Sequence, residues 1–183
     1  RLGDVAADWQ PGDPLDPATK AGPVVDGDQL DRVTGYIGLG LEEGAMLVTG
    51  GGRALEETGG FFVEPTVFSG VDNSMRVAQE EIFGPVLSVI PFADEDEALR
   101  IANDTEFGLA AAVWTSNLAR AHRMSRELRA GTVWINNFDQ ADISAPFGGF
   151  KQSGFGGKDK SLWAIDKYTN LKTTWINLGR GGR

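Results

Sequence analysis

Val86-Leu87-Ser88-Val89-Ile90-Pro91-Phe92 is an apolar run checked by Pro91, and Asp94-Glu95-Asp96-Glu97 follows almost at once. These two segments decide the fold class. A short apolar run bounded by proline reads as a buried strand. Asp94, with Glu97 three residues on and acids filling the first turn, opens a helix reaching about Asn103. The order then repeats. Residues 109–115 are expected as a strand, 117–129 as a helix and 131–136 as a strand; a short helix over 159–167 and a strand over 171–176 complete it. Strands alternating with helices predict an α/β fold, with an open, largely parallel sheet flanked by helices.

Upstream the same alternation is looser. Residues 10–26 are rich in Pro, Gly and Asp and read as a surface loop. Leu30, Val33, Ile37 and Leu41 recur at helical spacing, and Asp28 is the expected cap. Residues 45–48 form a short strand, and 50–60 are rich in turns. Residues 61–68 are extended but broken by Pro65, which predicts an edge or bent strand. With 183 residues, 41% of them hydrophobic, the chain suits one domain with a real core.

Composition excludes several function classes. A net charge of −9 repels a phosphate backbone, so nucleic-acid binding is not expected. No run of about 18 apolar residues is present and no basic leader opens the chain, so neither a membrane span nor a signal peptide is expected. There is no cysteine, hence no disulfide and no thiolate metal site. The one histidine, His122, has no carboxylate one helical turn away to orient it and reads as a boundary residue. A reducing, cytoplasmic setting fits this composition.

Glycine-rich and nucleophile motifs fail on inspection. Gly50-Gly51-Gly52 has Leu55 where a dinucleotide loop needs its third glycine. Gly154, Gly156 and Gly157 have Asp159 at the equivalent place, and Gly157-Lys158 lacks the Ser or Thr of a P-loop. Around Ser153, Lys151 and Phe155 replace the glycines of a nucleophile elbow. These glycines read as turns and close packing. Of the acid pairs, Glu80-Glu81 stands apart, because Ile82-Phe83-Gly84-Pro85 bends the chain into the strand at Val86. A carboxylate at such a bend either faces solvent or accepts hydrogen bonds from a vicinal diol such as a ribose, and an aromatic two residues on can pack against a flat ring.

Four ordered segments carry a family resemblance. Gln79-Glu80-Glu81-Ile82-Phe83-Gly84-Pro85-Val86 resembles the aldehyde dehydrogenase segment beside the nicotinamide ribose. Asn103-Asp104-Thr105-Glu106-Phe107-Gly108-Leu109-Ala110, Trp134-Ile135-Asn136-Asn137 and Pro146-Phe147-Gly148-Gly149-Phe150-Lys151-Gln152-Ser153-Gly154 resemble three further motifs of that family. The resemblance covers roughly residues 10–177. The last stretch, through Lys167-Tyr168-Thr169-Asn170-Leu171 and Trp175-Ile176, is similar to γ-glutamyl-γ-aminobutyraldehyde dehydrogenases of polyamine catabolism.

The resemblance implies an NAD-dependent (or NADP-dependent) enzyme that oxidises an aldehyde to a carboxylic acid. It implies that Glu81 hydrogen-bonds the nicotinamide ribose, that Phe83 packs near the nicotinamide and that Leu109 lies close by. Asp139, Ala141 and Phe147 would line the aldehyde entrance, with Asp139 and Asp142 favouring an amino-bearing substrate. Residues 1–168 would be part of a catalytic domain, 169–178 an oligomerisation strand joining a dimer or tetramer, and 179–183 a disordered tail. The family's nucleophilic cysteine, its general-base glutamate and most of its nucleotide-binding strands precede the matched segment. The chain, starting at Arg1 and lacking cysteine, is therefore expected to be a C-terminal fragment without activity of its own; the alternative is a non-catalytic assembly or binding module of the same fold. One departure stands out: Ser153-Gly154-Phe155-Gly156-Gly157-Lys158-Asp159-Lys160 replaces a Ser-Gly-x-Gly-Arg-Asp-Lys pattern, gaining a residue and losing the arginine.

Overall fold

A computed structural model describes residues 1–179, and the chain divides into two compact units, Arg1–Asp104 and Thr105–Arg183. The expected disordered tail, beyond Gly179, lies outside the described residues. The fold is α/β.

In the first unit, a short helix α1 (Leu2–Ala7), which the sequence pattern did not announce, precedes the loop. Leu30, Val33 and Ile37 share one face of α2 (Gly27–Glu42) and are buried, whereas Leu41, in the last turn, is half exposed. The cap is Asp26 and not Asp28: Asp26 has extended backbone and its carboxylate accepts from the Gln29 amide at 2.9 Å. Asp28 falls one residue inside, where its charge still meets the helix dipole. Then follow β1 (Met46–Thr49), β2 (Arg53–Ala54), β3 (Phe62–Val63) and β4 (Thr66–Ser69). Helix α3 (Arg76–Gln79), β5 (Val86–Ser88) and α4 (Glu95–Asn103) complete the unit.

β4 lies between β1, antiparallel to it, and β5, parallel to it; β2 and β3 form a separate antiparallel pair. Pro65 splits the 61–68 stretch into β3 and β4, and β4 is the middle strand, not an edge. Proline has no N–H to give a ladder, but Pro65 stands ahead of the first ladder residue, Thr66, whose own amide donates to the Pro85 carbonyl at 2.8 Å. β5 is shorter and more open than a buried strand: it pairs through three residues only, and Leu87 is half exposed. The core joins the α2 face to Ala45, Val63, Phe68, Val71, Val77 and Ile82. Asp94 caps α4 as the sequence predicts, accepting from the Glu97 amide at 2.9 Å, while Glu97 reaches back to the Ala93 amide at 2.7 Å.

In the second unit, β6 (Ala110–Val113) and β7 (Thr132–Ile135) are parallel, joined through α5 (Leu118–Glu127). Asn117 caps α5, accepting from the Arg120 amide at 3.0 Å, and Met124 and Leu128 are buried. The expected helix over 159–167 is a 3₁₀ segment at Leu162–Tyr168, capped by Ser161. The expected strand over 171–176 is absent: those residues have no ladder partner among the described residues, and Leu171 and Trp175 are fully exposed. A strand exists only through its pairing, so alternation of side chains alone does not make one. Among the described residues, no helix is long and apolar enough to cross a membrane.

Candidate functional site

Each unit carries a cluster of the residues singled out above. In the first, α3 delivers the chain to Glu80, whose backbone is extended (φ −104°, ψ 148°). Extended chain sends successive side chains to opposite sides. Glu80 turns toward α2, Glu81 is exposed, Ile82 is buried and Phe83 is 77% exposed. Glu81 and Phe83 thus come to the outside together. Phe83 has φ 58°, a left-handed conformation that costs a non-glycine residue about 1 kcal/mol.

Helix α2 holds this bend through a polar stripe beside its apolar face. Gln29 donates to the Ile82 and Phe83 carbonyls at 3.0 and 2.9 Å, Arg32 to the Glu81 carbonyl at 2.6 Å, and Tyr36 to the Glu80 carboxylate at 2.6 Å. Arg76 forks onto the same carboxylate, Nε at 2.6 Å and Nη2 at 2.9 Å. The Tyr36 ring lies near both guanidinium groups, 5.6 Å from Arg32 and 6.0 Å from Arg76. The residues at 29, 32 and 36 went unread in the sequence. Their helical spacing was visible, but their partners lie about fifty positions away.

The two adjacent acids therefore have different work. Arg76, and then Tyr36, hold the Glu80 carboxyl down at about 2, and Glu80 in turn pushes the Tyr36 phenol up. Glu81 keeps its carboxylate out: among the described residues nothing hydrogen-bonds it. Because the Glu80 value is depressed, its stabilising contribution is complete above its ordinary value of about 4.5 and is lost as pH falls through about 2. Urea unfolding at a series of pH values should show a shallower acid dependence between those limits for Arg76→Met than for the parent chain. Parallel slopes would remove the clamp from the acid response.

The second unit knits together two motifs that lie about 45 positions apart. The Lys151 ammonium donates to the Thr105 carbonyl at 2.8 Å, and the Gln152 amide to the Glu106 carbonyl at 3.0 Å. The Phe150 amide donates to the Gly108 carbonyl at 2.8 Å, and the Gly108 amide to Ser153 Oγ at 3.1 Å. Leu109 follows directly at the head of β6, partly exposed. The glycines here serve close approach: a Cβ on Gly131 would overlap the Gly148 carbonyl, and one on Gly108 would come within 2.6 Å of the Arg129 carbonyl oxygen.

Of the expected entrance residues, Asp139 and Ala141 are exposed on the loop after β7, and Asp139 has φ 55°. Phe147 is half-buried, paired by backbone bonds in both directions with Asp159, and the Lys160 ammonium lies 5.6 Å from its ring centre. Asp142 is exposed and engaged by its own turn: Ser144 donates to it from the amide at 2.8 Å and from the hydroxyl at 2.6 Å, holding the carboxyl below the usual carboxylate range. Asn136, at φ 57°, ends the ladder with its side chain: Thr115 donates to Oδ1 at 2.8 Å, and Nδ2 donates to the Thr115 carbonyl at 2.9 Å. The Trp134 indole N–H donates to the Gln140 carbonyl at 2.9 Å and so tethers the loop. In the stretch that lacks the arginine, Lys158 donates to the Gly148 carbonyl at 3.3 Å and lies 5.2 Å from the Phe150 ring centre.

Comparison with known proteins matches this arrangement to one family. Residues 1–174 fit the model of the aldehyde dehydrogenase family. The chain is 54% identical over 170 residues to betaine aldehyde dehydrogenase of Mesorhizobium japonicum, covering 92% of this chain and 35% of the relative. Among solved structures, indole-3-acetaldehyde dehydrogenase of P. syringae, determined with NAD⁺, is 60% identical with TM-score 0.91, over 97% of this chain and 36% of that one. γ-Glutamyl-γ-aminobutyraldehyde dehydrogenase of Burkholderia cenocepacia is 61% identical with TM-score 0.89, over 97% of this chain and 36% of that one. The chain spans about a third of the length of these relatives.

Proposed function

The chain belongs to the aldehyde dehydrogenase family, and from that premise we propose that it supplies the C-terminal third of an NAD(P)-dependent enzyme oxidising an aldehyde to a carboxylic acid. The observation that carries this reading is the outward pair at the bend. Glu81 offers an unengaged carboxylate and Phe83 an exposed ring, on a bend whose carbonyls are held by Gln29 and Arg32 of α2 and whose Glu80 side chain is held by Tyr36. A carboxylate accepts the two hydrogen bonds of a ribose diol, and a ring face packs on a nicotinamide. NAD(P), when bound, supplies the hydride acceptor. Glu81 and Phe83 would orient it, Leu109 is carried over from the family resemblance as a further cofactor residue, and strands outside this chain would hold most of the nucleotide.

Asp139, Ala141 and Phe147 are the proposed aldehyde-entrance residues. An amino-aldehyde is the proposed substrate class, in keeping with the names of several relatives. Asp139 and Asp142 are the proposed acids for its ammonium group, Asp142 with one carboxylate oxygen already accepting from Ser144. The chain has no cysteine, so the cysteine that attacks the aldehyde, and with it the glutamate that activates water, would come from a part of the fold outside this chain. We place the enzyme in the cytoplasm as a dimer or tetramer. The exposed stretch at 171–176, with Trp175 93% exposed, would gain its ladder from a neighbouring subunit. The same stretch would serve a non-catalytic assembly module.

The test is NADH formation from an amino-aldehyde. The 183-residue chain alone should give none, whereas the complete protein containing it should be active. Glu81→Gln in the complete protein should raise KM for NAD⁺ about tenfold or more, since a hydrogen bond to a charged group contributes roughly 1.5–3 kcal/mol. Turnover by the isolated chain, or an unchanged KM in Glu81→Gln, would overturn the reading.

A further inference from the structure

Glu80 and Glu81 are chemically identical neighbours, and in extended chain only one of them can face outward. Choosing between them needs a device. The charge-assisted fork from Arg76, together with the Tyr36 hydroxyl, gives Glu80 three donors on its two carboxylate oxygens. Each donor is itself fixed. The Arg76 amide donates to both carboxylate oxygens of Glu43, at 3.2 and 3.0 Å, which pins the start of α3 to the end of α2. Tyr36 projects from the stripe whose other members hold the carbonyls of residues 81–83. If Glu81 took the fork, the frame would move by one residue: Ile82, now 8% exposed, would turn out, and Phe83 would turn in.

We propose that Tyr36 and Arg76, acting through Glu80, are positioning residues that select Glu81 as the outward carboxylate and set Phe83 beside it. The proposal rests on the reading that Glu81 meets the NAD(P) ribose. Neither Tyr36 nor Arg76 needs to touch the cofactor. Their effect is on the fraction of molecules whose bend is in the competent frame, so it enters the apparent affinity for cofactor and not the chemical step.

The experiment uses the complete protein with Arg76→Met, Arg76→Lys, Tyr36→Phe and Glu81→Gln. KM for NAD⁺ and kcat at saturating NAD⁺ are measured, and hydrogen exchange of the Glu80 amide, which donates to the Arg76 carbonyl at 2.8 Å, is followed without cofactor. Arg76→Met should raise KM about tenfold with kcat within about twofold, and should speed that exchange about tenfold. Arg76→Lys should recover most of both effects. Tyr36→Phe, which removes one hydroxyl, should move both in the same direction by less, and keeps the test open if Arg76→Met does not fold. If Glu81→Gln raises KM while Arg76→Met and Tyr36→Phe leave it unchanged, the positioning role is wrong and the cofactor reading stands. If Arg76→Met and Tyr36→Phe speed exchange but neither they nor Glu81→Gln change KM, the cofactor reading itself fails and takes the proposal with it. A fall in kcat with unchanged exchange also overturns it.

Discussion

Replacing Gly131 with alanine is expected to lower the stability of the second unit by about 3 kcal/mol or more. The new Cβ would lie inside the Gly148 carbonyl oxygen, 2.8 Å from the carbonyl carbon and 3.2 Å from the Gly149 Cα. All three are backbone atoms, so no rotamer change relieves the overlap. Gly131 also donates to the Gly108 carbonyl at 3.0 Å, the oxygen that takes the Phe150 amide. Moving Gly131 aside therefore disturbs the junction that sets both Leu109 and Phe147. Urea unfolding followed by tryptophan fluorescence measures the loss, Trp134 standing in β7 itself. A cost under about 1 kcal/mol would mean that the junction yields easily and that these glycines are not packing devices.

Phe68→Ala is expected to cost the first unit about 3–5 kcal/mol, the range for deleting a buried phenyl ring. Phe68 is fully buried on the middle strand of its sheet. Its ring edge comes so near the α2 backbone that a Cβ on Gly40 would stand 3.1 Å from Phe68 Cζ. The ring is the bed on which α2 rests, and the stripe at Gln29, Arg32 and Tyr36 rides on the same helix. A cavity there should loosen the bend at 80–83 as well as lower stability. Phe68→Leu, which refills most of the volume, should cost less than about 1.5 kcal/mol. Far-UV circular dichroism in urea separates the two variants; equal costs would mean that the site collapses around either side chain.

Local signals were legible where one residue decides one element. Asp94 with Glu97 announced α4, and Leu30, Val33 and Ile37 announced the buried face of α2. Asp26 was missed as the cap because two aspartates stand two positions apart, and only the backbone angle separates them. Pro65 misled about β4, since its effect depends on whether the missing N–H falls inside the ladder or just before it. The outward pairing of Glu81 and Phe83 could be read from the two-residue alternation and from the family resemblance. What holds the bend could not, because Tyr36 and Glu80 meet only through the fold. Left-handed backbone at Phe83, Asn136, Asp139 and Lys151 was equally silent, since glycine is the usual sequence sign of that conformation.

The side chain of Asn136 behaves as one further rung of the β6–β7 ladder, beyond the bond that its own amide makes to the Val113 carbonyl at 2.9 Å. The strand end is thereby closed before the loop begins, and the Trp134 indole ties the loop back to β7 at the Gln140 carbonyl. Substitutions at positions 138–145 that spare this carbonyl leave the last rung in place, because it belongs to a side chain anchored ahead of the loop. Solved relatives of closely similar backbone carry the names of indole-3-acetaldehyde and γ-glutamyl-γ-aminobutyraldehyde, so one scaffold is shared by proteins named for different aldehydes.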